Sequence, residues 1–215
     1  MSGDFNLDAT TRTDLGKGAS RRLRRLENKV LGIVYGGEVD PAPIAVAENE
    51  INKLAANEAF YTSLIKLNLD GKTEQVVIKD MQRHPAKNSI MHVDFLRVSA
   101  TTKITMHVPL HFINEESSPG VKLQGGTVSH ALNDLEIICL PGDLPEFIEV
   151  DMGNLNIGEN IHISDLTLPK GVESVALIHG EDHDLLVSAI NAAKGSIDDD
   201  EEAAAAEGEE ESGEE

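Results

Sequence analysis

The sequence predicts a mainly β protein with two domains, residues 1–98 and 99–190, followed by a disordered acidic tail, residues 191–215. The chain of 215 residues exceeds the usual size of one domain, about 100 to 150 residues. Aromatic residues make up 3% and Trp is absent, so Val, Ile and Leu, two of them strong strand formers, must fill the cores. Most apolar runs are short and alternating, and Gly or Pro turns separate them.

The first domain contains alternating apolar runs that predict five strands and two short helices. The first helix is predicted at residues 20–27 with Ser20 as N-cap, and the second at residues 49–57. Asp70-Gly71 separates two of the runs and predicts a hairpin. The predicted strands are residues 5–11, 31–35, 61–69, 73–82 and 90–98.

The second domain shows strand-like runs at residues 104–112, 127–140, 147–150 and 175–178. The connection at residues 98–102 carries no Pro or Gly, so we expect a short link and packed domains. The lone Cys139 lies in an apolar run and is expected to be a small buried hydrophobe. The last twenty residues offer almost nothing to bury, which predicts disorder.

The net charge of −20 argues against nucleic-acid binding only as an average. Residues 1–100 hold 14 Lys and Arg against 13 Asp and Glu, a net +1. Residues 101–190 hold 3 against 14, a net −11, and residues 191–215 hold 1 against 11, a net −10. Any surface for a polyanion is therefore expected in the first domain.

The densest basic cluster begins at Arg12 and ends at Lys29. Gly16-Lys17-Gly18-Ala19-Ser20 lets the backbone approach a ligand, and the helix that follows offers N–H donors to a phosphate. Leu23 and Leu26 are expected to anchor this helix while arginines project outward. The cluster predicts a grip on an RNA backbone; a solvated basic helix remains the alternative. Its members are Arg12, Lys17, Arg21, Arg22, Arg24, Arg25 and Lys29.

A second polar cluster combines residues 80–85 with residues 91–95. Met91, Val93 and Phe95 alternate towards a core, which places His92 and Asp94 on the opposite face. Side chains of these types can hydrogen-bond to base edges and 2′-hydroxyls in the wide minor groove of RNA. Ordinary surface hydrogen bonding remains the alternative for this cluster.

Catalytic and metal sites are not predicted. The sequence holds no recognisable nucleophile or acid and base pair, so we expect no enzyme and no cofactor. His107 and His111 lie four residues apart on a predicted strand, which does not suit a metal site, and residues 179–184 are expected to form a polar turn.

The sequence shows neither an export signal nor a membrane span, and we expect a cytoplasmic protein.

Two other functions stay open at this point. The acidic half could make the chain an interaction protein for basic partners, and similar β domains can also accompany RNA-directed enzymes. Binding that survives nuclease treatment would favour the former, and metal-dependent turnover of RNA the latter.

These motifs, in this order, resemble the bacterial large-subunit ribosomal protein twenty-five family in its two-domain form, the general stress protein Ctc type. In the first domain the resemblance rests on Arg12 with residues 16–24, on Tyr35-Gly36-Gly37, on residues 80–85 and on residues 92–95. In the second domain it rests on residues 108–110, 118–122, 125–126, 148–151 and 157–162, so that it covers about residues 3–188.

The resemblance implies a six-stranded amino-terminal β-barrel that binds 5S ribosomal RNA as a structural, non-catalytic part of the large subunit. It implies ribosomal RNA and neighbouring ribosomal proteins as partners, with no small-molecule substrate. Arg12, Lys17, Ser20, Arg21, Arg22 and Arg24 would hold phosphates and riboses, and Tyr35, Asp80, Gln82, His84 and His92 would line a minor-groove face. Family members commonly carry a proline where this chain has Val30-Leu31-Gly32, so this strand entry is expected to flex more.

Overall fold

The computed structural model describes residues 5–87, 89–178, 180 and 183–192. The acidic tail beyond Ala192 lies outside these residues, as do residues 179, 181 and 182 of the predicted polar turn at residues 179–184. The described part of the chain folds mainly into strands, as the sequence predicts. Among its helices, none has the length and apolar character needed to cross a bilayer.

The amino-terminal region is a closed barrel formed by six strands of the described residues, in the order β1-β3-β2-β6-β5-β4. This barrel confirms the fold that the family resemblance implies. Its interior is filled by aliphatic side chains together with Phe5, Phe60 and Phe95. The elements are β1 (Phe5–Thr11), α1 (Lys17–Leu26), β2 (Lys29–Tyr35), β3 (Ala42–Ala47), α2 (Glu48–Leu54), β4 (Ile65–Leu69), β5 (Lys72–Arg83) and β6 (Ile90–Arg97).

The hairpin prediction is confirmed, because β4 and β5 pair antiparallel on either side of Asp70 and Gly71. Both turn residues have positive φ, 49° and 87°, as this tight turn requires. The predicted strand at residues 61–69 is wrong in its first half. Residues 58–61 form a 3-10 helix instead, and the Asn57 side chain caps it by accepting from the Ala59 N–H at 3.2 Å.

Other elements of the barrel region also differ from the prediction. Helix α1 begins at Lys17, and Ser20 lies inside its first turn, where its N–H donates to the Gly16 carbonyl at 3.0 Å. Ser20 is therefore not the N-cap. Strand β3 was not expected from its own pattern, because Pro and three alanines in Ala42–Ala47 weaken the strand signal. Helix α2 lies within one residue of the predicted start but ends at Leu54.

In the described part of the carboxy-terminal region, the strands form one sheet in the order β10-β7-β9-β12 and another in the order β11-β13-β8. The second β-rich region is thus confirmed. The elements are β7 (Ile104–Ile113), α3 (Pro119–Lys122), β8 (Thr127–His130), β9 (Asp134–Cys139), β10 (Ile148–Asp151), β11 (Asn160–His162), β12 (Glu173–Ser174), α4 (Val175–Ile178) and β13 (Leu186–Asn191).

Two runs of this region were assigned incorrectly from the sequence. Residues 127–140 form two strands in different sheets, β8 and β9, because the chain turns at residues 131–133. Val175–Ile178 is one helical turn, since four apolar residues have no periodicity that separates a strand from a helix. Cys139 is buried as predicted, and burial followed by the nearby Asp143 carboxylate raises the pKa of its thiol.

The two regions pack directly against each other. Val77 points outward from the barrel and lies, fully buried, in the carboxy-terminal core. Thr62 Oγ1 donates to the Glu146 carbonyl at 2.9 Å, and Lys79 Nζ donates to the Thr105 carbonyl at 2.9 Å. The packing fixes the outer face of β5 relative to the rest of the molecule.

Candidate nucleic-acid interface

Helix α1 presents the exposed part of the basic cluster. The helix follows Gly16, whose φ of 95° lies in the region that favours glycine. Only Ala19 of this helix is buried, while Lys17, Arg21, Arg22 and Arg25 are all exposed. The helix therefore offers several cations to solvent along ten residues. Arg25 belongs with this set although the family motif did not single it out.

The helix is not anchored as the sequence suggested. Leu26 is 77% exposed, so the expected anchor is wrong for Leu26, whereas Leu23 is half-buried. Instead Arg24 holds the helix, since its Nε and Nη2 donate to the Met91 carbonyl at 3.2 and 3.1 Å. Helix α1 contacts strand β2, and Leu31 of this strand is only 2% exposed although its side chain faces outward from the barrel. Ser20 is half-buried in the same helix.

Arg12 lies close enough to Arg24 for the two positive charges to interact. Burial and then the charge of Arg24 lower the pKa of the Arg12 guanidinium, which remains charged at neutral pH. Its Nε and Nη1 are buried and find no hydrogen-bond partner within the described residues. A half-buried cation beside a second cation is costly without an anion. The pair therefore favours a phosphate at this position.

The second predicted cluster forms one continuous surface on β2, β6 and β5, which are neighbours in the barrel. His92 of β6 is level with Gln82 of β5, and Asp94 is level with Asp80. Tyr35 extends this surface at the end of β2, two residues beyond the position level with Asp94. We call Tyr35, Asp80, Gln82, His92 and Asp94 the polar face.

A register shift in β5 places two of these residues outward. Val76 and Ile78 point into the barrel, and Met81 again packs against the same core. The ladder with β6 is irregular between Ile78 and Asp80, so one residue, Lys79, is extra. Because side chains alternate along a strand, this bulge turns Asp80 and Gln82 to the side that carries His92.

The polar face is organised by short hydrogen bonds. His92 Nδ1 lies 2.7 Å from Asp94 Oδ1, and Asp80 Oδ1 accepts from the Met81 N–H at 2.8 Å. Burial, then the Asp94 and Asp80 carboxylates, raise the pKa of the Tyr35 phenol. The phenol therefore stays protonated at neutral pH and can donate to a ribose or a base. The alternation of residues 91–95 predicted Asp94 on the same face as His92, although Asp94 is not among the RNA-contacting residues that the family resemblance implies.

His84 lies beyond the end of β5 and shapes the loop that leads to β6. Its Nδ1 accepts from the N–H groups of Ala86 and Lys87 at 3.1 and 3.0 Å. With Nδ1 acting as acceptor, the neutral ring carries its proton on Nε2. His84 can thus hold the loop and still offer one donor outward.

The strand that carries Tyr35 is regular where family members commonly have proline. Residues 29–35 pair with β3 on one side and β6 on the other without a register shift. A Cβ on Gly32 would lie 2.7 Å from the Val93 carbonyl oxygen and 3.3 Å from Ile44 Cγ1. The greater flexibility expected here stays a prediction, whereas the close contact shows that Gly32 allows two strands to approach closely.

The histidines considered as metal ligands lie apart from this surface and from each other. His107 Nδ1 lies 2.8 Å from Asp134 Oδ2, whereas His111 Nε2 lies 3.2 Å from Glu58 Oε2. No group of three or more metal-binding side chains with suitable geometry occurs among the described residues. His179 is not one of those residues.

Comparison with known proteins matches both regions to families. The ribosomal L25p family matches residues 7–95, and the family described as ribosomal protein TL5, C-terminal domain, matches residues 103–194. The large ribosomal subunit protein bL25 of Alcanivorax borkumensis is 56% identical over all of both chains. The protein of the same name from Cellvibrio japonicus is 57% identical over 91% of this chain and 96% of its own. That of Marinobacter nauticus is 52% identical over 98% and 100%.

Proposed function

Because the chain belongs to the bacterial bL25 family of ribosomal proteins, we propose that it binds 5S ribosomal RNA through α1 and the polar face. Membership makes it a structural component of the large ribosomal subunit, associated with the ribosome in the cytoplasm, and not an enzyme. What we propose beyond family membership is the RNA that the chain binds. The observation that carries it is the placement of exposed cations beside a strip of hydrogen-bonding groups on three adjacent strands.

The cations of α1 contact RNA phosphates, and the polar face contacts base edges and 2′-hydroxyls. Lys17, Arg21 and Arg22 neutralise phosphates along the backbone, as exposed cations on a docked helix can. Ser20 adds a hydroxyl for a phosphate or a ribose within the first turn of α1. These contacts fix the position of the RNA and depend little on its sequence.

Arg12 and Arg24 act from a more buried position. Arg24 orients α1 through the Met91 carbonyl, and Arg12 supplies a guanidinium with two unsatisfied buried nitrogens. A phosphate above this pair offsets the repulsion between the two cations. The helix is thereby tied to both the barrel and the RNA.

The polar face reads the shape of the RNA minor groove. The Tyr35 phenol can donate a hydrogen bond, the Asp80 carboxylate can accept one, and the Gln82 amide can do both. His92 is oriented by Asp94, and His84 presents its Nε2 proton from the loop beyond β5. Such a mixture suits the 2′-hydroxyls and base edges of a wide RNA minor groove.

The remaining segments are assigned by charge. We propose residues 1–98 as the RNA-binding domain, residues 99–190 as a second domain that lies away from the RNA, and residues 191–215 as an acidic tail. The second domain and the tail carry net charges of −11 and −10, which RNA phosphates repel.

The test is binding of the full-length protein to fluorescently labelled 5S ribosomal RNA across a salt series. We expect tight binding that weakens steeply with salt. The Arg21→Ala/Arg22→Ala variant removes two phosphate contacts, so the slope of log K against log salt falls by roughly 1.5 to 2. The matched control, Lys122→Ala/Lys170→Ala, removes two exposed cations from the acidic region and leaves both slope and affinity unchanged. Equal binding of any RNA duplex, or equal loss in both variants, would contradict the proposal.

A further inference from the structure

The carboxy-terminal region contains a groove of about 770 Å³ that RNA binding does not use. It lies between β10, the edge strand of one sheet, and β11, the edge strand of the other. Residues 165–169, which follow β11, form part of its wall. The lining residues include all of β10, Phe147, Leu155, Asn160, Ile161, Asp165 and Leu166.

The groove follows the open edge of β10 and not one of its faces. Ile148 and Val150 are buried, whereas Glu149 and Asp151 are exposed, as expected for alternating sides of a strand. A groove that contacts all four residues must therefore lie alongside the strand. Within the described sheet, β10 pairs only with β7, so its other edge presents N–H and C=O groups to the groove.

The side chains around this edge combine apolar surface with negative charge. Phe147 is 40% exposed and stacks on His111, with ring centroids 4.4 Å apart and planes 10° apart. Of the described residues that line the groove, three are carboxylates, Glu149, Asp151 and Asp165, and none is Lys or Arg. Asp151 is held in place by the Asn114 side-chain amide at 2.8 Å and by the Gly153 N–H at 2.9 Å.

The negative charge of the groove determines which kind of segment can bind there. The chain's own tail carries 11 acidic residues against one basic residue and is repelled, as is RNA. A second copy of this edge would bring acid against acid. An extended segment with Lys or Arg on alternate residues matches both the carboxylates and the unpaired strand edge.

We propose that this groove binds an extended basic segment of a partner protein, which adds a strand to β10. The backbone of the segment pairs with the edge of β10, its cations lie against Glu149, Asp151 and Asp165, and an apolar residue packs on Phe147. The four residues of β10 offer an edge of about 13 Å, enough for a segment of four or five residues. The groove is independent of the RNA surface, so either proposal can fail alone.

The test uses full-length protein and a fluorescein-labelled pentapeptide that alternates lysine and valine. We expect saturable binding by fluorescence anisotropy, with amide shifts in β10 and β11 in spectra of ¹⁵N-labelled protein. Glu149→Lys reverses one lining charge and raises the Kd roughly fivefold. Glu116→Lys, an equal change at an exposed residue outside the groove, alters the Kd less than twofold.

Two further peptides separate strand addition from simple charge attraction. Replacing lysine by glutamate abolishes binding, and N-methylation of the valine amides, which removes backbone donors, weakens it at least tenfold. The proposal is overturned if no saturable binding occurs up to millimolar peptide, if the N-methylated peptide binds equally, or if both protein variants lose affinity alike. Binding of 5S ribosomal RNA at this edge, seen as the same amide shifts, would also overturn it.

Discussion

Replacing Gly32 by Ala should destabilise the barrel and weaken RNA binding, because β2 and β6 are in unusually close contact at this residue. The added Cβ would stand 2.7 Å from the Val93 carbonyl oxygen, a backbone atom that cannot rotate away. Overpacking of this kind costs about 1–3 kcal/mol, and the lower entropy of an unfolded Ala chain offsets only about 0.4–1 kcal/mol. The net expectation is a loss of about 1–2 kcal/mol.

The assay is urea denaturation of the full-length protein, followed by 5S ribosomal RNA binding under conditions where both proteins are folded. Separation of β2 from β6 moves Tyr35 relative to His92 and Asp94, so affinity should fall together with stability. Gly142→Ala is the control, since a Cβ there meets nothing within 4 Å. A Gly32→Ala protein that unfolds at the urea concentration of the wild type would refute the reasoning.

Three other changes test single features. Arg24→Ala leaves the Met91 carbonyl without its donor and should lower the free energy of unfolding by about 1–2 kcal/mol, whereas Arg21→Ala should change it by less than about 0.5 kcal/mol in the same denaturation assay. Arg12→Met removes a half-buried charge with two unsatisfied nitrogens and should raise the midpoint of thermal unfolding while weakening binding of 5S ribosomal RNA; a lower midpoint would contradict this reading. Hydrogen bonds from Ser164 lower the pKa of Asp184, so its stabilising effect is present above pH about 3.8 and is lost as pH falls through the lowered value. Asp184→Asn should therefore flatten the loss of stability between pH 4 and pH 2, measured by denaturation at each pH.

Sequence patterns predicted the strands whose side chains alternate cleanly and failed where the alternation is weak. Strand β1 has the predicted bounds, and Asp70-Gly71 identified the hairpin, because both signals are local. Strand β3 has a proline and little contrast between its faces, so only its pairing with β1 and β2 reveals it. Local propensity could not supply that pairing.

The candidate site was predictable as a set of residues but not as a set of contacts. The density of cations and the alternation of His92 with Asp94 identified both parts of the surface. The roles of Arg24 and Arg12 depend on β6 lying beside α1, a contact between residues 67 positions apart. Helical spacing favoured a leucine anchor, and the structure has an arginine bound to a carbonyl instead.

The bulge at Lys79 shows how one extra residue lets β5 serve two surfaces. Before the bulge, Val77 points outward into the carboxy-terminal core; after it, Asp80 and Gln82 point outward into the polar face. Without the bulge, Met81 would face outward and the two polar side chains would enter the barrel interior. Deleting Lys79 removes the extra residue itself, so Asp80 would follow Ile78 directly and stay level with Asp94; RNA binding should be retained, and stability should fall only by the loss of the bond from Lys79 to the Thr105 carbonyl.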